Sequence, residues 1–137
     1  MISILLADDH KIVRQGVRAL LEYEPDLEIV GEAGDGTEAL ALLEELRPDI
    51  LVTDLSMPLC NGIQLTAEIK RNGWVTKVVI LSMHGDAPYV VAAFNSGASA
   101  YVLKESGVDH AVAAIREALA GRRYASPPLV LPMMQNI

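Results

Sequence analysis

The stretch Asp49-Ile50-Leu51-Val52-Thr53-Asp54-Leu55-Ser56-Met57-Pro58 decides how this chain folds. An apolar run ends abruptly in a carboxylate, and a proline-stopped loop follows. The run is long enough for a buried strand and too short for a helix. Asp54 therefore stands at the carboxyl end of a central strand. Open α/β sheets bind ligands in the crevice at that edge. An earlier apolar run, Ile2-Ser3-Ile4-Leu5-Leu6-Ala7, ends the same way in Asp8-Asp9.

Outward from these two strands the chain alternates. Val13, Val17, Leu20 and Leu21 recur at helical spacing between Lys11 and Glu24, and Pro25 stops that helix. Residues 27–33 form a more alternating strand, suited to a sheet edge. Asp35 caps a second helix with Glu38 three residues on, and Leu40, Leu43 and Leu46 line its apolar side. After the central stretch, Leu65 and Ile69 mark a helix from Gly62 to about Arg71, closed by Asn72-Gly73. Lys77–Ser82 is a β-branched, uninterrupted strand. Pro88 opens a fourth helix carrying Val90, Val91 and Phe94 to a stop at Gly97. Residues 99–104 are a fifth strand. A capping pattern at Ser106–Asp109 opens a helix with the stripe Val108, Val112, Ile115 and Leu119, ended by Gly121.

Five strand–helix repeats imply a parallel sheet with helices on both faces. Right-handed crossovers favour the flavodoxin-like strand order 2-1-3-4-5. The three strands with continuous apolar runs, the first, third and fourth, belong at its centre. The domain spans residues 1–121. Residues 122–137, with Ala125-Ser126-Pro127-Pro128, read as a linker and tail. The apolar Leu129, Val130, Leu131, Met133 and Met134 leave three readings open: the start of a further module, a partner-packing segment, or a disordered end.

The 137 residues suffice for one domain, and with 51% hydrophobic residues but one Trp and one Phe the core is aliphatic. No apolar run reaches the roughly 18–20 residues of a membrane span, and no signal segment opens the chain, so a cytoplasmic location is expected. The single cysteine, Cys60, has no partner for an internal disulfide. A net charge of −7 argues against a nucleic-acid surface on this piece.

The chemistry follows from the strand ends. Three crowded carboxylates raise at least one pKa unless a cation joins them, and hard oxygens suit Mg²⁺. A carboxylate can also accept a phosphoryl group as an aspartyl phosphate. That transfer needs cationic and hydrogen-bonding groups on the equatorial oxygens. Ser82 ends the fourth strand with a hydroxyl, and Lys104 ends the fifth with an ammonium.

The pair Asp8-Asp9, the run Asp54-Leu55-Ser56-Met57-Pro58 with Asn61-Gly62, Ser82, and Tyr101-Val102-Leu103-Lys104 resemble the receiver domain of two-component response regulators, a CheY-like fold. Residues 13–21 and Gly121-Arg122-Arg123-Tyr124 with Ser126-Pro127 are similar to its NarL/FixJ (LuxR-type) subfamily. The resemblance covers about residues 2–121. It implies that Asp54 is the phosphoacceptor for a histidine kinase. It implies a Mg²⁺ site of Asp8, Asp9, Asp54 and Ser56, with Asp9 a direct ligand, Asp8 acting through the metal's water shell, and the Ser56 carbonyl a third ligand. Lys104 would pair with the phosphoryl group, with Ser82 the switch hydroxyl and Tyr101 the switch aromatic. The chain would then be a phosphoacceptor rather than an enzyme, dimerising on phosphorylation. It would control DNA only through a C-terminal helix-turn-helix output absent from this chain.

The charge added by phosphorylation can draw Ser82 towards it, and Tyr101 can turn inward to fill the space vacated. Tyr101 points to the opposite face from Lys104. Glu105 stands where many receivers have a proline that often carries a cis bond, which leaves the isomer of that peptide open. His84, two residues past Ser82, and Ser56 are placed to tune attack by water on the phosphoryl group, and His10 is similarly close to the acids. Cys60 reads as a small hydrophobe. Arg14 and Arg18 are either solvated or a partner surface. A Mg²⁺-dependent phosphatase using an aspartyl intermediate usually needs another acid two residues after the nucleophile, where Ser56 stands. A phosphorylation-independent interaction module is opposed by five competent site positions.

Overall fold

A computed structural model describes residues 1–107 and 109–129. Its strands are β1 (Ile2–Ala7), β2 (Leu27–Ala33), β3 (Ile50–Asp54), β4 (Lys77–Ser82), β5 (Ala100–Leu103) and β6 (Tyr124–Ala125). Its α-helices are α1 (Lys11–Glu22), α2 (Gly36–Leu46), α3 (Gly62–Asn72), α4 (Ala87–Asn95) and α5 (His110–Leu119). The sheet is parallel throughout, in the order β2-β1-β3-β4-β5-β6. The expected order of the first five strands holds, with β2 at the edge and β1, β3 and β4 inside.

Period-two alternation sorts the strand residues into two cores. Ile4, Leu6, Ile50, Val52, Val79, Leu81 and Val102 meet Val17 and Leu21 of α1 and Ala111, Ala114 and Ile115 of α5. Leu5, Ala7, Leu51, Val78, Ile80, Tyr101 and Leu103 meet Leu43 of α2, Leu65 and Ile69 of α3, and Phe94 of α4. The cap of α2 is as the sequence predicts, and α3 carries a further one. The Asp35 side chain accepts from Glu38 N–H at 2.8 Å, and Asn61 and Gln64 form a reciprocal capping box at the start of α3.

The C-terminal third differs from expectation in four places. The sheet has a sixth strand: residues 124–125 pair with β5, so part of the expected linker belongs to the sheet. Lys104 lies beyond β5, in a 3₁₀ turn over Lys104–Ser106. The face of α5 is also shifted. Ala111, Ala114, Ile115 and Ala118 are buried, while Val112 is partly buried and Leu119 is 39% exposed. Three alanines let the helix backbone lie close to the sheet, and a pattern search that weights large apolar residues misses them. The Asp109 side chain makes no cap hydrogen bond to α5. Val108 and the apolar tail residues from 130 on lie outside the described residues. Among the described residues no helix is long and apolar enough to cross a membrane.

Candidate phosphoacceptor site

Register assembles the site. Ala7 pairs with Thr53, which brings Asp8 level with Asp54 at the ends of β1 and β3. Asp54 pairs with Leu81, and Ser82 pairs with Leu103, so Ser82 and then Lys104 follow one step beyond. Alternation divides the set between the two faces of the sheet. Asp8, Asp54 and Lys104 continue the rows facing α1 and α5. Ser82 and Tyr101 belong to the rows facing α2, α3 and α4.

The Lys104 ammonium sits between two carboxylates, 3.0 Å from Asp8 Oδ2 and 3.3 Å from Asp54 Oδ2. Asp8 and Asp54 are buried, whereas Asp9 is exposed. Burial, reinforced by the Asp8 charge, raises the Asp54 carboxyl above its ordinary range against the opposing pull of Lys104 and of the Ser56 main-chain N–H. The Asp8 carboxylate is held by the His10 N–H at 2.8 Å, a turn that fixes its orientation.

The loop after Asp54 is shaped by close backbone packing. A Cβ on Gly62 would stand 2.5 Å from the Asp54 carbonyl oxygen, and one on Gly36 would stand 1.8 Å from that of Cys60. Only glycine lets α2 and α3 approach this loop. The loop itself turns sharply at Leu59, whose φ is 74°, with Cys60 N–H donating to the Pro58 carbonyl at 2.8 Å. Cys60 packs against the core, and burial pushes its thiol pKa up, in keeping with a small hydrophobe rather than a reactive thiol.

Ser82 is fully buried, and its Oγ accepts from the His84 N–H at 2.9 Å. Tyr101 is also fully buried, and its hydroxyl donates to the His84 carbonyl at 2.5 Å. It therefore lies in the inward position. Burial raises its hydroxyl pKa, and hydrogen bonding with Ser82 opposes this. His84 thus meets both Ser82 and Tyr101 through its main chain. Its ring stacks on Tyr89 at 4.6 Å, with Nε2 3.5 Å from Ser56 Oγ, at the mouth of the site. The Lys104–Glu105 peptide is trans.

Three residues stand out more in the structure than in the sequence. His10 Nδ1 is 3.2 Å from Asp8, 3.3 Å from Asp9 and 3.9 Å from Asp54. Arg14 donates to the Asp8 carbonyl at 2.5 Å and to Glu32 at 2.9 Å, while Arg18 also reaches Glu32. These arginines tie α1 to β2 and brace the Asp8–Asp9 turn. Their spacing on α1 placed them on one side, but only tertiary structure brings Glu32 to them.

One ligand atom from each of Asp8, Asp9, His10 and Asp54 lies within 4.8 Å of the others. Hard carboxylate oxygens gathered this closely fit a divalent cation, which would neutralise them and any phosphoryl oxygens they meet.

Comparison with known proteins agrees with this geometry. The family model described as the response regulator receiver domain matches residues 4–116. The transcriptional regulatory protein DegU of Brevibacillus brevis is 36% identical over 126 residues, which are 92% of this chain and 53% of DegU. The chain thus spans about half the length of that relative. The crystal structure of a LuxR-family two-component response regulator from Aurantimonas sp. SI85-9A1 superposes with a TM-score of 0.86 at 43% identity, covering 91% of this chain and 89% of that one. The isolated REC domain of RcsB from Salmonella enterica serovar Typhimurium, determined in the presence of the phosphomimetic BeF₃⁻, superposes with a TM-score of 0.84 at 29% identity over 92% of this chain and 94% of that one. By fold, by the residues gathered at its strand ends and by descent, the chain belongs to the receiver domains of response regulators, in the NarL/LuxR group.

Proposed function

We propose that this receiver domain accepts a phosphoryl group on Asp54, with Asp8, Asp9, Asp54 itself and the Ser56 carbonyl holding Mg²⁺. The observation that carries this reading is the Lys104 ammonium set between the Asp8 and Asp54 carboxylates at the mouth of the sheet. An Asp54 oxygen attacks phosphorus, and the bond from phosphorus to the donor's leaving atom breaks. With a phosphohistidine donor, the imidazole leaves with the electron pair and takes up a proton. Lys104 stays with the transferred group and offsets its charge. Ser82 turns its hydroxyl towards the new oxygens. Mg²⁺, when bound, supplies charge neutralisation for the acids and the phosphoryl oxygens.

The donor is a sensor histidine kinase, and the domain is a phosphoacceptor rather than an enzyme with turnover. Phosphorylation favours one packing of Ser82, the His84 loop and Tyr101, and this promotes self-association and control of a DNA-binding output elsewhere in the protein. Ser56 and His84 at the mouth tune access of water to the acyl phosphate. RcsB's receiver, whose structure was determined in the presence of a phosphomimetic, supports the reading by likeness. Ser56 stands where a phosphatase of this chemistry would need an acid.

Incubation with a small phosphodonor and Mg²⁺ tests the proposal. Wild type gains one phosphoryl group by intact mass, chelation of Mg²⁺ prevents the gain, and Asp54→Asn shows none. Undiminished labelling of Asp54→Asn would overturn the assignment.

A further inference from the structure

The segment from Tyr124 to Leu129 runs along the outer edge of β5, and its contacts converge on the residues that form the switch. Tyr124 N–H donates to the Ser99 carbonyl at 3.1 Å, and Ser126 N–H donates to the Tyr101 carbonyl at 3.0 Å. Ser126 is 0% exposed, and its Oγ accepts from Leu103 N–H at 2.9 Å. A short polar side chain thus completes the edge of β5, a row of groups that would otherwise need water or another strand. The Tyr124 hydroxyl also lies 2.7 Å from His110 Nδ1 at the start of α5. Leu129 packs against the core on the face that holds Tyr101.

The far end of this segment meets the loop after Ser82. A Cβ built on Gly85 would lie 3.3 Å from the Leu103 side chain and 3.8 Å from Leu129 Cδ2. Gly85 directly follows His84, whose N–H donates to Ser82 and whose carbonyl accepts from Tyr101. Leu103, Gly85 and Leu129 therefore pack together one residue away from the switch hydrogen bonds. Any shift of that loop changes the surface on which Leu129 rests. Tyr101 itself joins the two: its hydroxyl bonds the His84 carbonyl and its own carbonyl holds the Ser126 N–H.

We propose that Tyr124–Leu129 is a strap that docks on β5 and the Gly85 loop in the inward-Tyr101 arrangement, and so passes the state of the phosphoacceptor site to whatever follows it in the chain. The inference rests on the phosphoacceptor reading of Asp54. The inward Tyr101 is the packing that phosphorylation favours, and the strap is docked on it. Phosphorylation therefore tightens the strap. By linkage the docked strap strengthens the site's hold on a phosphoryl group or its mimic by the same factor.

Amide exchange of the full 137-residue chain, with and without Mg²⁺ and beryllofluoride, tests this. Bound beryllofluoride is expected to slow exchange of the Ser126 and Leu103 amides by roughly 5- to 150-fold. Ser126→Ala is expected to weaken beryllofluoride binding by up to that same factor. Leu129→Ala, a partly buried site whose truncation leaves the sheet intact, is expected to weaken it in the same direction. Amides that exchange equally fast or faster with the mimic bound would overturn the strap while leaving the phosphoacceptor reading intact. Wild-type affinity in both variants would do the same. Failure of wild type to bind beryllofluoride at all would overturn both.

Discussion

Asp54 is 5% exposed, ringed by Asp8 and Asp9, and within 3.3 Å of Lys104. Its ionised form suits chemistry more than stability, because burial and Asp8 raise its pKa. A group whose folded pKa is raised stabilises the fold below its unfolded pKa, and that contribution is lost as pH rises through the folded value. At neutral pH without metal, Asp54→Asn should therefore raise stability, by about 1 kcal/mol, the scale of relieving a buried charge. Urea unfolding with and without Mg²⁺ checks it: the gain should shrink or reverse when the cation is added, since only wild type keeps the full ligand set. The acids, Ser82 and Lys104 were legible in the sequence because each directly follows an apolar run, where a polar residue must stand at a sheet edge. His10 was visible only as a neighbour of the acids. Its Nδ1 comes within 3.9 Å of three carboxylates through the fold of the first turn of α1.

The β3–α3 loop and the C-terminal strand show what governs the site at the level of elements. Gly62 lets α3 start against the Asp54 carbonyl, and a methyl group there would meet backbone that cannot move aside. Gly62→Ala should destabilise the fold by about 1–3 kcal/mol, as overpacking does, and should slow phosphoryl labelling by displacing Asp54. Gly16 of α1 has nothing within 4 Å of the same position, and Gly16→Ala should stabilise by about 0.5–1 kcal/mol without altering the label. Thermal unfolding of the two variants side by side decides whether the close approach matters. The long strands were legible because uninterrupted β-branched runs have few other uses in a chain of this size. The two residues of β6 carry no period at all. Only the neighbouring edge of β5 turns Tyr124-Ala125 into a strand, and only the buried Leu103 N–H gives Ser126 its place. The alanine-rich face of α5 was hidden for a related reason: small residues signal close packing only once the sheet beneath them is known.

Across the whole molecule, two cores hold a single sheet whose carboxyl edge is braced from the outside by charge. Glu32 on β2 accepts from Arg14 and Arg18 on α1, and Arg14 also holds the Asp8 carbonyl. Burial works to raise the Glu32 carboxyl, but the hydrogen bonds from Arg18 and Arg14 outweigh it and leave the pKa below its ordinary value. A depressed carboxylate contributes stability above its unfolded pKa and loses it as pH falls through the folded pKa. Glu32→Gln should cost about 1 kcal/mol at neutral pH, and the difference from wild type should vanish on acidification below the carboxylate range. Unfolding curves across that range check the sign. The same brace predicts weaker Mg²⁺ binding in Glu32→Gln, because the Asp8–Asp9 turn loses part of its anchor. Of the carboxylates gathered at the sheet edge, Asp54 alone is proposed to attack phosphorus. Hydride reduction of the phosphodonor-treated protein converts an aspartyl phosphate to homoserine, and peptide mass spectrometry then locates it. Homoserine at position 54 is the predicted result; homoserine at position 8 or 9, with an unaltered Asp54, would contradict the account.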